Sequence, residues 1–148
     1  MIADQLCVSS WRAQAGSFVS LMTLYESNFV RLGWLLSDLR DVVKPAVSSV
    51  PTDCDLHLTP VEASRYTSVF RLTYQFDLDG TTIRDPDIEV CVYHDARLAE
   101  VRSFRGIQRH PHLARLQSRL KRELDQRWAR NMMLNKWLEY CAERGHRF

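Results

Sequence analysis

Apolar positions along the chain change period twice. Between residues 17 and 39 they recur at three- and four-residue steps (Leu21, Leu24, Tyr25, Phe29, Leu32, Leu36, Leu39), which predicts an amphipathic helix with Ser17 as a plausible N-cap. Gly33 weakens its C-terminal end, so the helix is expected to break after Leu36. Residues 44–55 carry Pro45, Pro51 and several Ser, Thr and Asp, and read as a loop. Then the period becomes two. Tyr66, Phe70, Leu72, Tyr74, Phe76 and Leu78 alternate with Arg65, Thr67, Arg71, Thr73, Gln75 and Asp77, which predicts a long half-buried strand. Asp79-Gly80 is a strong turn signal after it. Ile88 to Tyr93 forms a second strand, His94 to Arg97 turns the chain, and Leu98 to Phe104 returns beside it. Leu56 to Thr59 is a short edge-strand candidate, with Pro60 limiting its pairing.

From Leu113 the helical period returns through Leu116, Leu120, Leu124, Trp128 and Met132, and the apolar face widens toward Cys141. Pro111 suits the start of this stretch and Gly145 its end, so one long helix or a kinked pair fits. The expected fold is α+β: an N-terminal helix, a three- to four-stranded antiparallel sheet, and a long C-terminal helix or helix pair packed on one sheet face. Residues 1–16 read as an N-terminal extension and 17–148 as a single domain, which suits a chain of 148 residues. The stripe Trp128, Met132, Met133, Trp137 and Tyr140 is most simply core. It spans more than one helix side, so it is also a candidate face for a protein partner or a homodimer.

Composition narrows the classes. A chain that is 45% hydrophobic and 26% charged, with five Gly and five Pro, is neither disordered nor low-complexity. No apolar run is long enough to span a membrane, and the N-terminus lacks a signal-peptide core, so the expected location is the cytoplasm. Cys7, Cys54, Cys91 and Cys141 form no Cys-x-x-Cys pair, and free thiols in a reducing compartment are expected. The net charge of +2 is uneven: residues 1–101 carry −6 and residues 102–130 carry +7. Arg115, Arg119, Lys121 and Arg122 within that basic block are candidate polyanion contacts, with RNA as one possible ligand. The competing reading is a solvated helix face.

Two segments carry candidate chemistry. Glu62, Arg65 and Tyr66 lie in a polar run at a strand start, where a guanidinium beside a phenol can orient a small anion. His94 and Asp95, with Glu100 nearby, offer an imidazole–carboxylate pair for binding or general-base work. Adjacent strand residues point to opposite faces, so the pair meets only across a turn. His110 and His112 lack a third ligand at metal spacing, no glycine loop cradles phosphate, and no nucleophile motif is present. No metal, cofactor or catalytic residue is therefore expected.

Four segments resemble one family when taken together. They are Tyr25-Glu26-Ser27-Asn28-Phe29, Glu62-Ala63-Ser64-Arg65-Tyr66-Thr67, Val92-Tyr93-His94-Asp95-Ala96 with Ala99-Glu100-Val101, and Asp125-Gln126-Arg127 with Asn131, Leu134, Trp137 and Leu138. In this order they are similar to the bacterial YqiB-like proteins, domain of unknown function 1249. Tyr25 stands where that family usually has Cys, Ala63 replaces Ser, Gln126 replaces Glu and Arg127 replaces Lys. The resemblance implies a small bacterial cytosolic protein and supplies no activity, substrate or cofactor. The residues favour a non-catalytic binding or protein-interaction domain. The alternatives are a small anionic-ligand-binding protein or enzyme using Glu62, Arg65, His94 and Asp95, and an RNA-binding accessory factor using the basic stretch.

Overall fold

The computed structural model describes residues 18–105 and 126–148. Helix α1 (Phe18–Leu35) is followed by strands β1 (Ala46–Ser48), β2 (Asp55–Ala63), β3 (Thr67–Leu78), β4 (Thr81–Tyr93) and β5 (Leu98–Arg105), and by helix α2 (Gln126–Arg144). The five strands form one antiparallel sheet in sequence order. The α+β class holds, with one strand more than the sequence predicts. That extra strand, β1, lies inside the stretch expected to be loop. Its three residues between Pro45 and Pro51 are too few to show an alternating pattern. With β1 beside it, β2 becomes an interior strand along Leu56–Leu58, and it runs beyond the expected Leu56–Thr59. The basic residues Arg115, Arg119, Lys121 and Arg122, the pair His110 and His112, the helix predicted from Leu113 to Leu124, and Ser17 lie outside the described residues.

One face of the sheet meets the helices. Leu56 and Leu58 of β2, Phe70, Leu72 and Tyr74 of β3, and Ile88, Val90 and Val92 of β4 form a core with Leu32 and Leu35 of α1 and Leu134, Trp137 and Leu138 of α2. The even-numbered alternation of β3 gives this face at Phe70, Leu72 and Tyr74, as the sequence predicts. Tyr66, before the strand, and Leu78, at its end by the turn, are exposed, and Phe76 is half-buried, because the helices do not cover the strand ends. Three irregularities aim the strands. Val61 is an extra residue in β2, Asp85 and Pro86 oppose the single residue Tyr74, and Arg102 is extra in β5. The second of these explains why β4 begins at Thr81 rather than near Ile88. Pro86 has no N–H for the ladder, and it is accommodated at a bulge. The Asp79-Gly80 turn is as predicted: both residues have positive φ, 52° and 79°, the two-residue hairpin geometry that matches strand twist.

Helix α2 ends where the sequence places its stop. Gly145 takes φ 93°, its N–H donates to Ala142 O, and His146 N–H donates to Cys141 O, both at 3.1 Å. This pair of bonds satisfies the last carbonyls of the helix and needs a residue that tolerates left-handed backbone.

Strand β5 is an edge strand, and the two helices cover it with amide side chains. Val101 N–H donates to Asn131 Oδ1 at 2.8 Å, and Asn28 Nδ2 donates to Ala99 O at 3.3 Å and to Asn131 Oδ1 at 3.4 Å. Asn131 Nδ2 in turn donates to Arg127 O. Outward-facing strand groups thus find partners without a sixth strand. Ser27, Asn28, Arg31, Asn131 and Asn135 are all buried here, so the inward face of α1 is more polar than its leucine spacing suggests. Asn131→Ala strands the Val101 N–H and should destabilise the chain by about 1–3 kcal/mol, read as a lower urea midpoint.

The stripe proposed as a partner face lies largely inside the protein. Trp128, Met132, Met133 and Trp137 are buried, and only Tyr140 of that set is half-buried.

Candidate functional site

The β2–β3 and β4–β5 turns lie at the same end of the sheet, because the strands between them are antiparallel neighbours. His94 N–H donates to Tyr66 O at 3.0 Å, which locks the two turns together. Arg65, Tyr66, His94 and Asp95 therefore converge. The imidazole and carboxylate of the expected pair do not meet. His94 is buried and shares a 2.8 Å hydrogen bond from Nε2 with Ser68 Oγ. Asp95 turns outward and accepts from Arg40 at 3.2 Å. Arg40 also donates to Arg65 O, so it ties the chain after α1 to both turns. The Arg65 guanidinium lies over the Tyr66 ring, 5.3 Å from its centroid.

Glu62 and Glu100 belong elsewhere. Glu62 sits on β2 and pairs with Arg102, which also reaches Glu89 at 3.7 Å. Those residues continue into a cross-strand ladder in which Arg71 contacts Asp87 at 3.3 Å and Glu89 at 3.0 Å. Glu100 accepts the Tyr93 hydroxyl at 2.6 Å. This bond, followed by burial, raises the Tyr93 phenol above its ordinary range. Burial first, and then the Glu100 carboxylate, push the buried Tyr25 phenol up to about 12, against a lowering influence from Arg127. The six predicted residues thus divide into a sheet-end group of four, a strand-face glutamate and a β5 glutamate.

The electrostatics disfavour reactive groups. Burial lowers the His94 pKa, and the nearby Arg40 charge adds to this, against opposing contributions from Asp38 and Asp95. The folded protein therefore prefers neutral His94. Between its lowered folded value and the unfolded value of about 6.5, the unfolded chain binds more protons, so stability falls as pH drops through that window. In His94→Gln the loss of stability between pH 7.5 and 5 should be smaller, as measured by urea midpoints at both pH values. Cys54, Cys91 and Cys141 are free. Burial raises all three thiols, Cys54 to about 11 with help from the Asp53 charge. None is poised as a thiolate.

Beside the sheet-end group lies an open groove of about 560 Å³ between the C-terminal half of α1 and the β4–β5 turn. Phe29, Val30, Gly33 and Trp34 line one side, Ala96 and Arg97 the other, with Leu39 between them. The sequence pattern assigned Phe29 and Leu39 to the core face and gave no sign that a groove borders them. Arg40 belongs to no motif, and Ser68 closes the polar run from Glu62 without standing out in it. Their roles come from the docking of segments distant in sequence.

The family described as Protein of unknown function (DUF1249) matches residues 31–147. The chain belongs to this family. It is 31% identical over 129 residues to the Uncharacterized protein YqiB of Escherichia coli strain K12, covering 86% of this chain and 90% of that one. The same figures hold for the YqiB proteins of strains CFT073 and O157:H7. No solved structure matches. Three residues that carry the resemblance, Asn28, Ala99 and Asn131, meet in space as the β5 amide cover. Beside them Glu100 and Arg127 act on Tyr25, and Tyr25 and Arg127 are two positions where this chain departs from the family pattern. Those contacts give the resemblance a folding role. Among the described residues no helix is long and apolar enough to cross a membrane, and no group of three or more His, Cys, Asp or Glu is arranged to hold a metal ion.

Proposed function

We propose that this DUF1249 protein is a non-catalytic domain that binds another protein in the bacterial cytoplasm. The observation that carries this reading is the internal use of its acid–base side chains. His94 bonds Ser68, Asp95 bonds Arg40, Glu62 bonds Arg102 and Glu100 bonds Tyr93. A general base must reach a substrate proton; Ser68 and His94 are paired as a nucleophile and base would be, but both are buried, away from a substrate. The raised thiols and the neutral, buried His94 support the same conclusion. The free cysteines suit a reducing compartment.

The test has two arms. A photo-crosslinking amino acid placed at exposed surface positions, including Val30, Val47 and Val61, should give a discrete protein adduct in bacterial cells from at least one of them. Excess unmodified protein should compete that adduct away. In parallel, purified protein is assayed against panels of phosphate ester, carboxylic ester and amide substrates. Turnover that disappears in both Ser68→Ala and His94→Gln would overturn the reading and favour a small-ligand enzyme at the sheet end.

A further inference from the structure

The sheet end formed by the β2–β3 and β4–β5 turns carries guanidiniums from three separate segments. Arg40 comes from the chain after α1, Arg65 from the first turn and Arg97 from the second, and all three are exposed. The bond from His94 N–H to Tyr66 O fixes the two turns against each other. Arg65 and Arg97 therefore stand two strand spacings apart, roughly 10 Å. Asp38 and Asp95 lie at the same end, and the Arg40 residue takes both. Asp38 Oδ1 accepts the Arg40 backbone N–H at 2.9 Å, and Asp95 Oδ1 meets the Arg40 guanidinium at 3.2 Å. Glu26, which lines the groove beside Arg97, has another partner. Among the described residues no carboxylate pairs with Arg65 or Arg97. Each lies over an aromatic ring instead, Arg65 over Tyr66 at 5.3 Å and Arg97 over Phe29 at 5.9 Å. A guanidinium held on a ring keeps N–H donors free at its edge, and that fork recognises a carboxylate through two parallel bonds.

We infer that this sheet end is the docking site for a short acidic segment of a partner protein, with one carboxylate on Arg65 and a second on Arg97. This deepens, and rests on, the interaction-domain reading above. The occupant follows from charge complementarity and from the footprint. In an extended peptide, side chains two residues apart share one face about 7 Å apart, and glutamates reach the remaining distance. A long polyanion fits less well. Three cations give a nucleic acid few phosphate contacts, and the adjoining sheet face carries Glu62, Asp87 and Glu89 against Arg71 and Arg102. Asp95 sits on the same turn as Arg97 and is held by an exposed ion pair, which is weak. Its carboxylate opposes the incoming charge, so removing it should tighten docking rather than loosen it.

The experiment is an NMR titration of the isotopically labelled full chain with N-acetyl-Glu-Ala-Glu-amide at low salt. Saturable shifts are expected at the Arg65, Tyr66, Asp95, Ala96 and Arg97 amides and at the Nε–H groups of Arg65 and Arg97, with affinity around the millimolar range for so small a probe. N-acetyl-Gln-Ala-Gln-amide should leave them unmoved. Arg65→Gln and Arg97→Gln should each weaken binding about fivefold, as loss of one exposed ion pair predicts. Asp95→Asn should tighten it by about two- to fivefold. These positions are exposed, so all three variants should keep the wild-type thermal midpoint closely. Arg130→Gln, at an exposed position of α2, should leave the affinity unchanged. Shifts that are absent, that spare the two turns, or that survive the double variant Arg65→Gln/Arg97→Gln would overturn the assignment. So would an equal loss in Arg130→Gln, which would mean diffuse attraction, or weaker binding by Asp95→Asn. A single-stranded oligouridylate that shifts the same amides at lower concentration than the peptide would overturn it too and make nucleic acid the occupant. If the sheet end is inert but a crosslink forms from Val30, Val47 or Val61, this assignment fails while the interaction-domain reading stands.

Discussion

Replacing Trp137 by alanine is expected to destabilise the protein by about 3–5 kcal/mol, the range for removing a buried tryptophan and leaving a cavity. Trp137 is the largest fully buried side chain among the described residues, with 0% exposure. It lies at the centre of the core, between α2 and the sheet. Its ring meets Tyr74 of β3 edge-on, with centroids 5.1 Å apart and planes at 81°, a geometry that adds to simple area burial. Leu134 and Leu138 flank it on α2 and are equally buried. A domain of this size is held by roughly 5–15 kcal/mol, so the loss is a large share of the total. Arg130→Ala, at an exposed position of the same helix, should shift stability by no more than about 0.5 kcal/mol. Urea denaturation followed by circular dichroism compares the two. Equal, small effects would mean that the helix does not anchor the sheet.

Trp137 was legible in the sequence because apolar residues surround it at helical spacing. The same kind of signal exposed β3, whose alternation survives almost unbroken, and the turns at Asp79-Gly80 and Gly145, where one residue type is needed for one backbone conformation. Legibility failed wherever a position's role is set by a partner far away in sequence. Asn28 and Asn131 look like polar interruptions of two helices until β5 is placed between them. Pro86 looks like a strand breaker until the bulge opposite Tyr74 makes room for it. His94 beside Asp95 suggests a dyad, but the β3–β4 register puts Ser68, 26 residues earlier, within reach of His94, while Asp95 turns to Arg40. The candidate site was thus half visible. Its location at one sheet end follows from the turn signals, whereas its pairings required the register.

The strongest pairing absent from the sequence pattern leads to the second large effect. After the α2 stop at Gly145, the chain inserts His146 beneath the sheet edge. His146 Nδ1 lies 2.9 Å from Ser48 Oγ, and Nε2 lies 3.0 Å from Asp53 Oδ2. The Tyr74 hydroxyl donates to the same carboxylate oxygen at 2.6 Å, and the Cys141 thiol donates to Tyr74 at 3.3 Å. Ser48 Oγ also accepts the Arg147 N–H at 3.1 Å. Burial keeps the Tyr74 phenol far above its ordinary pKa, so it remains a donor. The Asp53 side chain is 2% exposed and that of His146 is fully enclosed. Five segments are joined through one carboxylate: β1, the β1–β2 loop, β3, α2 and the tail after it. Asp53→Ala removes the acceptor and strands the imidazole and the phenol in a site that water does not reach. The expected cost is about 2–6 kcal/mol, as for leaving two buried polar groups without their shared acceptor. His146→Ala alone also destabilises. The double variant Asp53→Ala/His146→Ala should lose less than the two single losses combined, by about 0.5–3 kcal/mol, because each single change already strands the other group. Tryptophan fluorescence in urea reads all three, since Trp137 packs directly on Tyr74. Strict additivity would show that His146 and Asp53 act independently. The tail would then be a separate contact rather than the clasp that fastens α2 to the β1 edge of the sheet.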